Sequence, residues 1–388
     1  MGLAVGGVAT FSLGAAFWEE LFASAGGAGL GPGYGPTRLP NEHGLRLPEG
    51  FSSRVIARGR EPVPGTSYRW HLASDGSATF PTRDGGFILV SNSETLDGGA
   101  SAIRLAAGGE PVDAYRVLSG TSQNCSGGGT PWGTWLSCEE VEDGLVWECD
   151  PSGRRAAVSR PAMGVFKHEA AAADPRGRRI YLTEDLVDGC LYRYTPRRWP
   201  DLSEGSLEVA TDGDGGQIQW AAVPDPRARR IPTRHQVRGS VVLERGEGIW
   251  LDGGRVFIAT TADHRVHAYD IAAGRLEVVY DGLASRSAPL LRVDQLTANP
   301  SGEVFVCEDI ATDEIDIGVI DRRGRVSRFL SATGPEHEGS ELTGVAFDPS
   351  GSRMFFSSQR AGGTTDAPGP GAVYEVTGPF NGRPSVVR

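Results

Sequence analysis

An all-β fold, a propeller of about six blades, is what this chain predicts, and three observations predict it. The first is punctuation: 55 glycines and 25 prolines among 388 residues separate short apolar runs, the pattern of many strands and turns. The second is repetition. Six segments share one grammar: an apolar strand, a polar and mostly acidic stop, a turn, then a second strand of alternating aromatic or aliphatic residues. The third is spacing. Successive repeats begin about 45–50 residues apart, the period of a four-stranded blade.

The repeats follow in order. Residues 86–94 (GFILVSNSE) lead to 102–105, 133–140 (GTWLSCEE) to 145–149, and 179–185 (RIYLTED) to 190–194. Residues 255–263 (RVFIATTAD) lead to 266–270, 303–309 (EVFVCED) to 315–321, and 354–359 (MFFSSQ) to 372–376. A short run of small residues precedes several of them, as in 169–175 (EAAAADP), 294–300 (DQLTANP) and 342–349 (LTGVAFDP). Small side chains suit the crowded innermost strand of a blade. One interval is long. It holds residues 197–238, rich in Pro, Asp and Arg, and reads as an inserted loop or lid.

Residues 1–25 are apolar and small and end in Ala-Ser-Ala, like a signal segment with its cleavage site. No basic residue precedes the run, and the Glu19–Glu20 pair is atypical, so a core helix is the alternative. The run is too short and interrupted for a stable membrane span. Residues 26–50 read as a linker or extension, and 51–388 as one propeller domain. The net charge of -11 excludes a basic nucleic-acid face. Five cysteines is an odd number, so at least one stays a free thiol or a ligand. Cys138 and Cys307 read as core thiols, with pairing of one to Cys149 or Cys190 as the alternative in an oxidising compartment.

Chemistry concentrates in 124–140, NCSGGGTPWGTWLSCEE, read as a glycine turn at 127–129 and a strand from Trp132 to Leu136. Adjacent strands of a blade run antiparallel. The start of each inner strand therefore lies at the same end as the finish of its neighbour. That places Cys125, Glu169, Glu247 and Asp294 on one face with Glu94, Glu140, Asp185, Asp263 and Asp309. Acids at strand ends are also ordinary turn formers. Here five of six repeats stop on a carboxylate in the same phase, and like charges that close do not all stay ionised without cations. Oxygen ligands favour Ca²⁺, and the thiol favours a transition metal beside it.

The motif 124–140 resembles the signature of the PhoX-type alkaline phosphatase family, and ordered matches extend it. They are ILVSNSE, FKHEAAAADPRGRRIYLTED, RGEGIWLDGGRVFIATT, DQLTANPSGEVFVCED, LTGVAFDPSGSRMFFSSQ and the closing GPF, together covering about residues 80–380. The resemblance is to a compact member of that family. It implies a propeller carrying two oxide-bridged Fe³⁺ ions with Ca²⁺ beside them, acting on a small phosphomonoester. Residue by residue, it implies that Cys125 binds iron, that Glu169 and Glu247 bridge it, and that Glu140 binds calcium. Glu94, Asp294 and the Glu308–Asp309 pair fall in motifs that complete the calcium shells. Arg245 matches an arginine that holds the substrate phosphate, with a surface arginine paired to Glu244 or Glu247 as the alternative. It further implies a monomer working outside the cytoplasm, exported by a truncated or atypical twin-arginine signal. His168 reads as a core or supporting residue. His235 is a further candidate, and His264 is either a channel-mouth or a turn residue. Two other functions use the same fold: a calcium-dependent hydrolase of lactones or organophosphate esters, and a noncatalytic binding module.

Overall fold

Six antiparallel sheets stand around one axis in the computed structural model, which describes residues 34–310, 312–363 and 367–380. The segment 1–25, with its signal and core-helix readings, lies outside the described residues. Blade 1 comprises Ser74–Pro81, Phe87–Ser93, Ala100–Leu105 and Pro111–Leu118. Blade 2 comprises Asn124–Gly129, Trp135–Glu139, Val146–Cys149 and Val158–Ser159. Blade 3 has five strands: His168–Asp174, Arg179–Glu184, Leu191–Arg198, Asp201–Asp212 and Ile218–Ala222. Blade 4 comprises Gly246–Asp252, Arg255–Thr260, Arg265–Asp270 and Arg275–Asp281. Blade 5 comprises Val293–Ala298, Val304–Glu308, Glu314–Ile320 and Val326–Thr333. Blade 6 comprises Leu342–Phe347, Arg353–Ser358 and Ala372–Thr377.

The N-terminal region closes the ring. Ser52–Arg58 pairs with Ala372–Thr377 as the outer strand of blade 6, and Leu45–Arg46 pairs with Val326–Thr333 outside blade 5. The first and last segments of the domain thus share one sheet, and opening the ring would break a full strand ladder. Part of the expected extension is also anchored: Tyr34 packs on Phe51, Phe305, Phe329 and Phe380.

Each blade packs face to face on the next. The second strands are therefore covered on both sides, which is why they read as continuous apolar runs rather than alternating ones. Phe87–Ser93 is buried at every position. The inner strands crowd the axis, most tightly where a glycine of one blade meets the backbone of the next. A Cβ on Gly128 would lie 1.8 Å from the Ala171 carbonyl oxygen of the next blade. The glycines 127–129 are thus inner-strand residues rather than the turn expected from sequence, and Pro131 lies in the turn that follows. The long interval is corrected likewise: 201–222 supplies two strands of blade 3, and only 223–245 crosses to blade 4. All five cysteines are unpaired, and Cys138, Cys149, Cys190 and Cys307 are buried.

Candidate metal centre at the propeller axis

Each of the first five inner strands opens on a β-bulge at the same register. The shifts fall between Ser74 and Ser77, Asn124 and Gly127, His168 and Ala171, Gly246 and Ile249, and Val293 and Leu296. A bulge opposes two residues to one and re-aims a side chain. The re-aimed positions carry Asp75, Cys125, Glu169, Glu247 and Asp294. Thr343 holds the corresponding place in blade 6, where the shift comes one residue later, and its hydroxyl donates to Asp75 Oδ1 at 2.7 Å.

A second ring surrounds the first. The residue that ends each second strand donates its N–H to a carbonyl just ahead of the inner strand. Glu94 donates to Ala73 at 2.9 Å, Glu140 to Gln123 at 2.9 Å, Asp185 to Lys167 at 3.3 Å, and Asp309 to Arg292 at 3.0 Å. Thr261 donates to Arg245 at 3.1 Å and Gln359 to Glu341 at 3.1 Å. Ala73, Gln123, Arg245 and Arg292 take up left-handed backbone with φ of 46°, 43°, 58° and 45°. Non-glycine residues adopt that region at a cost, and it recurs at sites the surrounding structure over-determines.

These rings assemble donor clusters. Asp75, Glu94 and Cys125 offer ligand atoms within 4.8 Å of one another, as do Cys125, Glu140 and Glu169, and again Glu169, Glu247 and Asp294. Shared members chain the three into one site. Glu169 is 0% exposed; Cys125 Sγ lies 3.3 Å from its Oε1, and its Oε2 is buried without a hydrogen-bond partner. Glu247 Oε1 is likewise without a hydrogen bond, although Arg245 Nη2 lies 2.9 Å away at an angle that makes only a charge contact. Buried orphan carboxylate oxygens are costly in a native fold. A thiol, several carboxylates and two such orphans aimed at one space suit bound cations, so the residues fit the metal that the resemblance implies.

The electrostatics agree. Burial, then Glu247, Glu140, Asp294 and Asp75, hold the Glu169 carboxyl well above the usual range. Burial followed by Asp185 and Asp294 does the same to Glu247, and burial followed by Asp309 and Asp75 to Asp294. The Cys125 thiol is pushed up by burial and then by Asp75 and Glu169. Asp75 is raised to about 7, first by burial and then by Glu94. Burial and mutual repulsion thus favour neutralising these acids, by protons or by cations.

Above the rings lies a cavity of about 450 Å³ whose walls include Lys167, Arg245 and Arg360 among the acids. Arg245 is clamped by Asp185, which accepts from Nε at 2.7 Å and from Nη2 at 3.0 Å. Its side chain is 31% exposed, and its Nη1 is 3.8 Å from Asp309 Oδ2. Burial pushes Asp185 upward, but the Arg245 hydrogen bonds outweigh it and keep the carboxyl below the ordinary range. Lys167 Nζ bridges Glu140 at 2.8 Å and Asp185 at 3.0 Å. Arg360 pairs with Glu341 and lies 3.4 Å from Glu94.

Most of the expected site residues converge here: Cys125, Glu140, Glu94, Glu247, Asp294, Asp309 and Arg245 line the cavity, and Glu169 sits in the clusters beneath. Glu308 lies apart from them. Its carboxylate accepts from the backbone N–H groups of Leu291 at 2.6 Å and Asp316 at 2.9 Å, as alternation from Asp309 requires. Asp263 holds Thr260 and Arg265 instead of facing the cavity. His168 is buried, bonded to the Gly164 carbonyl at 3.1 Å and stacked near Phe166, while His264 Nδ1 accepts from Arg292 N–H. His235 pairs with Asp188 outside the cavity at 2.8 Å. Sequence reading missed Asp75, Lys167, Glu341 and Arg360. For Asp75 a signal existed: Ser-Asp-Gly at 74–76 aligns with Asn-Cys-Ser, His-Glu-Ala and Gly-Glu-Gly at the other inner-strand starts.

The profile of a family described as Alkaline phosphatase PhoX matches residues 96–282. Over that span the chain is similar to PhoX-type alkaline phosphatases. A search of curated protein sequences returns no match. Among solved structures, Pseudomonas fluorescens PhoX in complex with vanadate, a transition state analogue, superposes with a TM-score of 0.75 at 19% identity, covering 90% of this chain and 98% of its own. A structural genomics protein of unknown function from Bacteroides thetaiotaomicron superposes at 0.52 with 11% identity, covering 88% of this chain and 83% of its own. At these identities the superpositions establish the shared propeller. The PhoX match supports a phosphatase-type hydrolase that uses metal cofactors, and among the described residues no helix is long and apolar enough to cross a membrane.

Proposed function

We propose that the protein hydrolyses small phosphomonoesters at the axial cavity, with an iron and calcium cluster held by the two rings. The observation that carries this reading is the buried Glu169 oxygen without a hydrogen-bond partner, shared between the cluster with Cys125 and Glu140 and the cluster with Glu247 and Asp294, beside the clamped Arg245. Cys125, Glu169 and Glu247 would hold iron. Glu140, Glu94, Asp294 and Asp309 would hold calcium, with Asp75 added to the set by its place in the ring. When bound, such ions neutralise phosphoryl charge and supply an activated oxygen nucleophile.

The chain's own residues do the rest. Asp185 fixes the plane of the Arg245 guanidinium through two parallel bonds, and Arg245, in the cavity wall, would bind phosphate oxygens. Lys167 and Arg360, each ion-paired to carboxylates of the wall, offset part of the acidic charge around the same space. Glu169 and Glu247, buried at the floor, keep bulk water from the lower end of the site. We assign the protein to the extracytoplasmic side on the strength of the family match and the pattern of residues 1–25. N-terminal sequencing of protein from its native host is expected to begin after about residue 25.

Metal analysis of the purified protein, alongside turnover of a chromogenic phosphomonoester, tests the reading. Iron with calcium and measurable turnover is the expected result. Calcium alone would direct attention to lactones, and neither metal would leave a binding module.

A further inference from the structure

We propose that Arg234, remote from the cavity, is the positioning residue that holds Arg245 in its phosphate-binding geometry; the inference rests on the phosphatase reading above. Arg234 lies on a short 3-10 turn, Thr233–His235, within the crossing from blade 3 to blade 4. Its side chain is only 11% exposed, and its acidic partners lie at the end of a second strand or in the turn just beyond one. Nη1 lies 3.1 Å from Glu184 Oε1 and 4.0 Å from Glu142 Oε2, and Nε lies 3.2 Å from Asp188 Oδ1. Glu184 is wholly buried and also accepts from Tyr192 Oη at 2.8 Å. Tyr192 Oη in turn lies 3.0 Å from Thr233 Oγ1, and His235 binds Asp188 at 2.8 Å. Three successive residues of the crossing therefore hold the segment 184–192, Thr233 at Tyr192 and Arg234 and His235 at Glu184 and Asp188.

That same turn holds Arg245 from the other side. Asp185 binds its guanidinium. The Leu186 carbonyl accepts the Arg245 N–H at 2.9 Å, and the Gly189 carbonyl accepts from Leu243 at 2.9 Å. Arg245 needs this support, because its φ of 58° is unfavourable for a residue with a Cβ. The turn is thus a rigid piece with Arg245 on one side and Arg234 on the other. Releasing Arg234 leaves the Glu184 carboxylate buried without its cation, so the turn must shift or Glu184 must take up a proton. A shift of the turn moves Asp185, the next residue, and with it the plane of the phosphate-binding guanidinium. The crossing segment acts as a strut against the catalytic turn, where sequence reading allowed a lid.

The test uses Arg234→Gln, and the double variant Glu184→Gln/Arg234→Gln, which removes the stranded charge if the single variant folds poorly. KM for a chromogenic phosphomonoester and the affinity for inorganic phosphate by calorimetry are measured on the full chain. The expected result is a KM raised about tenfold, a kcat within about twofold of wild type, unchanged metal content, and partial recovery in Arg234→Lys. In an Arg245→Ala background the Arg234 substitution is expected to have no further effect on KM. Wild-type KM and phosphate affinity in Arg234→Gln, or a double variant that shows no recovery toward wild type, would overturn the inference, and so would a full, additive loss in the Arg245→Ala background. Failure of the wild type to hydrolyse any phosphomonoester would overturn the function proposed above, and the inference would then be decided by phosphate affinity alone.

Discussion

Glutamine at position 169 is predicted to change the sign of its effect with metal. Glu169 is fully buried, and its ligand oxygens lie within 4.8 Å of those of Cys125 and Glu140 on one side and of Glu247 and Asp294 on the other. Two full charges 4.8 Å apart repel by about 3.5 kcal/mol at an effective dielectric of about 20. Without cations, Glu169→Gln removes one such charge and should stabilise the fold by about 3 kcal/mol or, where protons already relieve the cluster, by somewhat less. With cations the sign reverses. The amide offers one neutral oxygen in place of a bridging carboxylate, and losing a site saturated at 100 times its Kd removes about 2.7 kcal/mol. The assay is thermal unfolding of wild type and variant, each after exhaustive chelation and after reloading with calcium and iron. The variant should melt several degrees above wild type when chelated and several degrees below it when loaded. A variant that is less stable in both states would refute the reasoning, because Glu169 would then be a structural carboxylate with satisfied partners.

Three further outcomes are expected. Gly128→Ala should destabilise the protein by about 2 kcal/mol or more in urea denaturation, because its Cβ would meet the Ala171 carbonyl of the next blade at 1.8 Å; wild-type stability would show that the inner strands can part. Arg245→Ala should mainly raise KM for phosphomonoesters, with a smaller loss in kcat, in steady-state kinetics; an unchanged KM would remove it from phosphate binding. His337 is buried and bonded to the His43 carbonyl at 2.9 Å, and burial depresses it below its ordinary value of 6.5. Its contribution is therefore complete above about pH 6.5 and is lost as pH falls, because only the unfolded chain takes up that proton. Stability of wild type should decline below that pH more steeply than that of His337→Gln, by at most about 1.4 kcal/mol per pH unit, and identical slopes in pH-dependent unfolding would contradict this.

What the sequence made legible follows from what repeats. Second strands such as FILVSNSE and VFVCED are covered on both faces, so their continuous apolar runs and terminal acids recur at blade spacing and declare the propeller. The ligand face could be read from strand antiparallelism, which brings Cys125 beside Glu140 and Glu169 beside Asp185. Glu308 was placed with Asp309 because the two are adjacent, yet alternation sends one to the cavity and the other to backbone N–H groups. The glycines at 127–129 resembled a turn because glycine marks turns and tight packing alike, and only the neighbouring blade decides between them. Lys167, Glu341 and Arg360 carry no recurring signal. Lys167 and Glu341 stand just ahead of an inner strand, where the other blades have Ala73, Gln123, Arg245 and Arg292, so the residue type there is not fixed by the repeat, and Arg360 lies beyond a strand that stops on Gln359. The strut formed by Arg234 was hidden for a similar reason, since it is specific to one crossing and repeats nowhere.

The central claim is that Cys125 and the carboxylates around it hold the metal that makes this cavity a phosphomonoesterase. The most direct measurement is turnover of a chromogenic phosphomonoester with iron and calcium content determined on the same samples, for wild type and for Cys125→Ser. A thiolate is a strong ligand for iron and a poor one for calcium. The account predicts a wild type that turns over substrate and carries both metals, and a folded Cys125→Ser protein that loses iron and activity together. Wild-type activity and iron content in Cys125→Ser would contradict it.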